Sequence, residues 1–346
     1  MILWPREHKK DGCVAVASTV SANSDDAMTE AWLAYHRRIG VSLFYVFVDG
    51  ETRHRSTWSK HRSDVRVFGA RELRSHHATS PSLSASFLAP YVANATCGAS
   101  KLFVKQTLNL ELAIEAARQD GASWLLHIDQ DELAYAKSPT SFNIRDILFA
   151  TPSDCDLVVF PNHEAVPESP TRSSTSTPFE TMTLFKRNHK HVDARAYSRF
   201  VQMARRSNPN YFLAYANGKS AVRLSSPNVR PNGAHRFKTG LGSHEIITDE
   251  AAILHFPYES LDQARRRGER CDCASIDDDK CSMLPFDREL AHEVLKNPST
   301  FSSWYERRVV ESNRARKAML LKAGLYIRIH EPMILLQSER RNRSLK

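Results

Sequence analysis

Three carboxylates close the apolar run Trp124–Ile128: Asp129, Asp131 and Glu132, in the order Asp-Gln-Asp-Glu. A buried strand that ends in carboxylates delivers them to the rim of a sheet, where open α/β folds bind their ligands. Hard oxygen ligands of this kind suit a divalent cation that neutralises a departing diphosphate. Asp-x-Asp also arises in ordinary acidic turns, since Asp caps turns and helices, so the surrounding elements have to decide between the two readings.

Those elements read as alternating strands and helices. Cys13–Ala17 is a short apolar run and predicts a buried strand. A helix follows, with Ser24 as its cap and Asp25 and Asp26 in its first turn. Met28, Trp32, Tyr35, His36 and Ile39 repeat at helical spacing before Gly40 stops it. His36 reads as a packed core histidine. Leu43–Val48 is continuous and apolar, as in a central parallel strand, and ends at Asp49-Gly50. Strand, helix and strand with short links make a right-handed crossover, which places Asp49 at the carboxyl edge of the sheet, where it is either a hydrogen-bond acceptor for a ribose or base or a turn-forming Asp-Gly.

Val65–Phe68 predicts a third strand, and the Ser- and His-rich stretch Glu72–Ser86 a mobile surface loop. Leu102–Gln119 has helical periodicity and leads straight into the acidic run, which therefore belongs to a parallel strand. Asp156–Phe160, Thr181–Lys186, Ser220–Leu224 and Ala251–Phe256 are further strand candidates. The Ser/Thr/Pro-dense stretch Pro167–Pro178 suits an acceptor-side loop, and from Phe286 onward the pattern is mostly helical. The expected fold class is α/β, a mostly parallel sheet flanked by helices with a helical C-terminal extension.

Across 346 residues, 48 Lys+Arg against 39 Asp+Glu give a net charge of +9, which favours anionic ligands. No aromatic-interleaved basic stripe accompanies that charge, so no nucleic-acid partner is expected. Runs such as Arg265-Arg266-Arg267 read as solvated helix faces. The six cysteines are too few and too uneven for a disulfide framework; Cys271, Cys273 and Cys281 either clip a loop or bind zinc. No apolar run reaches transmembrane length. The expectation is a soluble, cytoplasmic chain without an integral membrane segment, or a Golgi-lumenal one that lacks its anchor.

The segments Glu30-Ala31-Trp32-Leu33-Ala34-Tyr35-His36-Arg37-Arg38-Ile39-Gly40-Val41, the strand ending in Asp49, Gln106 and Asn109 on one helix, and Trp124-Leu125-Leu126-His127-Ile128-Asp129-Gln130-Asp131-Glu132 occur in an informative order. Asn217-Gly218-Lys219-Ser220, Gly233-Ala234-His235-Arg236 and Ile253-Leu254-His255-Phe256 follow. Together they resemble glycosyltransferase family 92 and its family 2-like relatives. The resemblance spans residues 12–270 as a GT-A type domain and leaves 271–346 as a basic helical extension. The chain departs from the family in lacking the membrane anchor of animal members and in carrying Pro161-Asn162-His163-Glu164 after Phe160.

The resemblance implies a nucleotide-sugar donor, best taken as UDP-galactose, a glycan or glycoconjugate acceptor, and Mn2+, with Mg2+ as the alternative ion. Asp131 is then the direct metal ligand, and Asp129 lies on the metal, its waters or the ribose. His255, or failing it His235, completes the metal site; Asp49, Gln106 and His235 contact the nucleotide sugar, and Lys219 and Arg236 the diphosphate. An inverting reaction needs a general base. Glu164 follows a strand at the active edge, and Glu132 or Glu180 are the alternatives. A nucleotidyltransferase would share the acidic rim, but the loop Thr19–Ser24 lacks the glycines that cradle a triphosphate. A non-catalytic carbohydrate-binding module is the third reading.

Overall fold

In the computed structural model the described residues are 12–22, 25–50, 63–85, 87–94, 97–137, 143–171, 176–198, 211–240, 242–273, 275, 281–282 and 284–344. Continuous apolar runs become the centre of the main sheet. β1 (Val14–Ser21), β2 (Val41–Asp49), β3 (Val65–Phe68) and β4 (Trp124–His127) run parallel, with Ala17 opposite His127 and Ser21 opposite Asp49. β6 (Leu157–Phe160), β9 (Lys219–Arg223) and β12 (Glu245–Ile247) complete seven strands in the order β12-β6-β9-β4-β1-β2-β3, and β10 (Arg230–Pro231) pairs antiparallel with β11 (Phe237–Lys238) apart from them. Within the seven, β9 alone is antiparallel to its neighbours, β4 and β6. This parallel-rich sheet flanked by helices is the architecture that the GT-A resemblance implied.

The helix Asp26–Arg38 is capped by Asp25, whose Oδ1 accepts the Ala27 N–H at 2.8 Å. The cap is thus one residue later than expected; Ser24 lies outside the described residues. The helix stops at Gly40, whose φ of +96° an L side chain adopts only at a cost. Trp32 and Tyr35 are fully buried on the sheet, and Trp32 Nε1–H donates to Glu132 O at 2.9 Å. The helix therefore anchors the strand that follows the acidic turn.

The expected loop Glu72–Ser86 is largely helical where it is described, Ser86 lying outside the described residues. Ala70–Thr79 is helical and Pro81–Ser84 forms a helical turn, both seated through Leu73, Ser80 and Ser82. Tertiary contact overrides the weak propensity of Ser and His. The long helix Gly98–Gln119 packs Val104, Leu108, Ala113, Ile114 and Ala117 inward.

A second sheet, invisible in the sequence as a unit, has the order β14-β8-β7-β13-β5. It is built from β5 (Glu132–Ala136), β7 (Asn162–Ala165), β8 (Leu184–Lys186), β13 (Ala251–His255) and β14 (Tyr326–Arg328). Its register puts Glu132 opposite His255, His255 opposite Glu164, Glu164 opposite Lys186 and Lys186 opposite Tyr326. Directly paired residues share a face of the sheet, so carboxylate, imidazole, carboxylate and ammonium alternate in one buried row. β14 comes from the C-terminal segment, whose helices Pro285–Lys296 and Phe301–Arg308 bury Phe286, Leu290, Phe301, Trp304 and Tyr305 against Tyr258.

Cys271 bonds to Cys281, and Cys273 reaches back 176 residues to Cys97. Cys271, Cys273 and Cys281 therefore all lie in disulfides; the loop clip is one of them, and the Cys97 partner of Cys273 has no counterpart in the sequence reading. Between them Asp272 accepts Gly98 N–H and faces Lys101 Nζ at 3.1 Å, fastening the start of the long helix. Among the described residues no helix is long and apolar enough to cross a membrane.

His36 is fully buried, as expected of a core histidine. Its Nδ1–H donates to Trp32 O at 2.8 Å, while Nε2 accepts the Ala134 N–H of edge strand β5 at 3.2 Å. Burial lowers its pKa to about 3. The unfolded chain protonates this group near pH 6.5 and the folded chain does not, so its contribution is full above 6.5 and is lost as pH falls toward 3. Between pH 6.5 and 5 the loss is about 2 kcal/mol. Urea midpoints at pH 7 and 5 should converge in His36→Asn relative to the parent chain; an unchanged difference would count against the assignment.

Candidate functional site

The turn Ile128–Asp131 links β4 of the main sheet to β5 of the second, so its carboxylates stand where the two sheets meet. Asp129 Oδ1 accepts from Gln106 Nε2 at 2.8 Å, and Oδ2 from Lys219 Nζ at 2.7 Å. Burial alone would raise its pKa, but Lys219, then His127, outweigh it and hold the carboxyl well below the usual range. Asp131 is freer. Its Oδ2 lies 3.6 Å from His255 Nε2 and 3.7 Å from Arg267 Nη1, and its side chain is 26% exposed. Against its burial, His255 and then Arg267 lower its pKa.

Glu132 is fully buried. Its Oε2 accepts the Asp129 N–H at 2.7 Å and lies 3.5 Å from Lys219 Nζ, and its Oε1 accepts Tyr215 Oη–H. Burial raises its pKa; Lys219 opposes the shift, and Asp129 and Asp131 reinforce it. Lys219 has no exposed surface, and its ammonium stays charged because Asp129 and Glu132 overcome desolvation. For His255 too, Asp131 overcomes desolvation and raises the pKa. The imidazole stacks on Tyr215 with ring centroids 4.6 Å apart, and its Nδ1 has no hydrogen-bond partner among the described residues.

The turn before Lys219 is set by Gly218. Its φ is +63°, and a Cβ there would stand 2.0 Å from Phe160 O. His235 Nδ1 pairs with Gly218 O at 2.9 Å. Arg236 donates to the carbonyls of Asn217, Gly218 and His235, so it braces this turn and does not reach the carboxylates directly. Asp49 lies two strands from β4 and pairs with Lys105 Nζ at 2.5 Å. Asn109 Nδ2 donates to Thr19 Oγ1 at 2.9 Å on the same edge. Among the sequence candidates, Gln106, Asp129, Asp131, Glu132, Lys219, His235 and His255 therefore converge; Asp49 lies along the rim, and Arg236 supports from behind.

Glu164 and Glu180 have other partners. Glu164 is 1% exposed; Oε1 accepts from Lys186 Nζ at 2.7 Å and Leu213 N–H at 3.0 Å, and Oε2 from Ala214 N–H at 2.7 Å. These bonds fix the segment leading to Tyr215. Glu180 accepts from the Thr177 N–H and Oγ1–H and from Arg340. Glu164→Gln should cost about 3 kcal/mol by leaving the Lys186 ammonium short of a carboxylate, with turnover per folded molecule retained. Chemical denaturation together with active-fraction-corrected kinetics checks this, and a turnover loss without a stability loss would return Glu164 to the chemistry.

Two residues were missed. Arg267 reads as part of a solvated run, yet it is fixed bidentately by Asp287 at 2.8 and 2.9 Å and lies over the Tyr258 ring. Tyr215 sits in a segment without regular structure, where no pattern marks it. Asp287, in the C-terminal segment, thus holds the Arg267 guanidinium that faces Asp131.

No protein-family model matches the chain. Two Arabidopsis thaliana proteins named glycosyltransferase-like are similar to it. One is 37% identical, over 96% of this chain and 74% of its own length. The other is 34% identical, over 97% of this chain and 66% of its own length, just under two thirds of that protein. Among solved structures, the mannosyltransferase Ktr4p from S. cerevisiae overlaps 88% of this chain and 83% of its own at 10% identity, with a TM-score of 0.33.

Proposed function

Because the chain belongs to the glycosyltransferase-like family of these two Arabidopsis thaliana proteins, we propose that it moves a hexose, with galactose the first choice, from a UDP-sugar to a glycan hydroxyl with inversion. The observation that carries this reading is the alternation of cations and carboxylates at the junction of the two sheets. Lys219 stands beside Asp129, and His255 and Arg267 beside Asp131. A placement within families 92 and 2-like belongs to the same proposal.

The donor set supports a divalent ion at Asp131 rather than at Asp129. Both Asp129 oxygens are engaged by Gln106 and Lys219. The partly exposed Asp131 carboxylate and His255 Nε2 face one another. Manganese accepts this oxygen–nitrogen pair and, when bound, supplies Lewis-acid stabilisation of the diphosphate. Lys219 and Arg267 add fixed positive charge where the leaving group gains negative charge. Asp129 holds Lys219 in place, and Asp49 and Asn109 offer polar groups to the nucleoside.

Glu132 is the best base among the three glutamates. Its raised proton affinity and its hydrogen bond from Tyr215 Oη suit an acceptor of a proton, whereas Glu164 and Glu180 each lie 2.7 Å from a cation, Lys186 and Arg340. The acceptor oxygen attacks the anomeric carbon as the bond to the UDP oxygen breaks. Its proton passes to Tyr215 Oη while the Tyr215 proton passes to Glu132 Oε1.

The two disulfides support an oxidising compartment, the Golgi lumen rather than the cytoplasm. The deciding measurement is UDP release from a panel of UDP-sugars with manganese, with and without candidate glycan acceptors. No turnover and no metal-dependent UDP binding across the panel would end this reading.

A further inference from the structure

Beside the carboxylate rim, past the carboxyl end of β6, a cleft of about 440 Å³ opens toward solvent. Tyr215 belongs to both places: its hydroxyl reaches Glu132, and the residue also lines the cleft. Val159, Pro161 and Ile247 give the cleft an apolar side. Apolar and aromatic surface with a few placed polar groups is the usual lining of a small-ligand site, and this volume lies toward the small end of such sites.

The charge of the lining is one-sided. Lys190 and Arg236 contribute to it, and among the described residues no carboxylate lines the cleft. Arg236 is held by three carbonyls and has Glu245 at 3.8 Å, which offsets part of its charge. Lys190 is exposed at the mouth, and its backbone is fixed because its N–H donates to Asn188 Oδ1 at 3.1 Å. Asn188 is in turn pinned by the carbonyls of Asn162 and Ala216. The Lys190 ammonium therefore projects from a rigid turn, and the chain's net charge of +9 adds long-range attraction for anions.

We propose that this cleft is the acceptor subsite and that it takes the end of a saccharide carrying an anionic substituent, its ring against Tyr215 and the apolar side, its anion toward Lys190. The assignment rests on the glycosyltransferase reading above. It deepens that reading by naming the acceptor class.

The test is equilibrium binding to the full chain of three oligosaccharides of equal length, ending in a uronic acid, a sulfated hexose or a neutral hexose. At least one anionic probe should bind about fivefold to tenfold tighter than the neutral one; the arm that binds tighter identifies carboxylate or sulfate as the anion. Lys190→Glu should abolish the preference, Lys190→Arg should keep it, and Ile247→Trp should weaken all three probes by filling the cleft. Equal binding of charged and neutral probes, or an unchanged preference in Lys190→Glu, overturns the inference. UDP binding with manganese is measured on the same wild-type sample. If UDP binds and the saccharides are not discriminated, only the acceptor assignment falls. If UDP does not bind, the transferase reading falls and takes the acceptor role with it, whatever the saccharides do.

Discussion

Asp131→Ala is expected to lower sugar transfer about a thousandfold while leaving the fold nearly as stable as before. The magnitude is that of removing one preorganised charge contact from a transition state that is gaining charge. The stability expectation comes from the side chain's few commitments. Its carboxylate is partly exposed and only faces His255 and Arg267 at 3.6 and 3.7 Å. The main-chain carbonyl, which accepts the Phe256 N–H at 2.8 Å, survives the substitution. His255 should also lose its proton at lower pH in the variant, because Asp131 is what raises its pKa against burial. Steady-state UDP release, manganese-dependent UDP binding by calorimetry and an NMR titration of the imidazole read the three effects separately. Wild-type turnover in this variant would remove Asp131 from the mechanism.

Lys219→Met is expected to act on the fold itself, at a cost of about 3–5 kcal/mol. Lys219 is wholly buried and its ammonium contacts two carboxylates, at 2.7 Å from Asp129 and 3.5 Å from Glu132. Without it those acids face each other through a poorly solvated space, and among the described residues Asp129 keeps only Gln106 as a side-chain donor. Adding Glu132→Gln should recover part of the loss, since one of the two repelling charges is gone. Urea unfolding of the single and double variants at pH 7 measures both. A single variant within 1 kcal/mol of the parent, or no recovery in the double, would show that the ammonium is not the counter-charge of this site.

Much of the main sheet was legible because its strands are buried on both faces and read as unbroken apolar runs. Leu43–Val48 and Trp124–Ile128 needed no tertiary information. The Asp-x-Asp stood out for the same reason, as charge arriving abruptly after such a run. The second sheet was not legible as a sheet. Asn162–Ala165 is polar in sequence yet buried, because Glu164 finds Lys186 and the Leu213 and Ala214 amides only after folding. Arg267 has two arginine neighbours, and nothing local says which of the three will turn inward. Asp287 and Tyr258 make that choice from 20 and 9 positions away in sequence. Cys97 carried no signal that it would meet Cys273, since pairing over 176 residues is a property of the finished fold.

The buried row Glu132, His255, Glu164, Lys186 has a bearing on how such chains diverge. Within it Glu164 and Lys186 neutralise each other across adjacent strands at 2.7 Å, so a substitution at Glu164 strands Lys186, and the reverse. Replacement of both removes the stranded charge that replacement of either leaves, at the cost of the acceptor for the Leu213 and Ala214 N–H groups. Drift across this ladder should therefore run through paired changes, and Glu164 and Lys186 should be exchanged together or kept together among related chains. The apolar strands of the main sheet, free of any such debt between neighbours, can vary one position at a time.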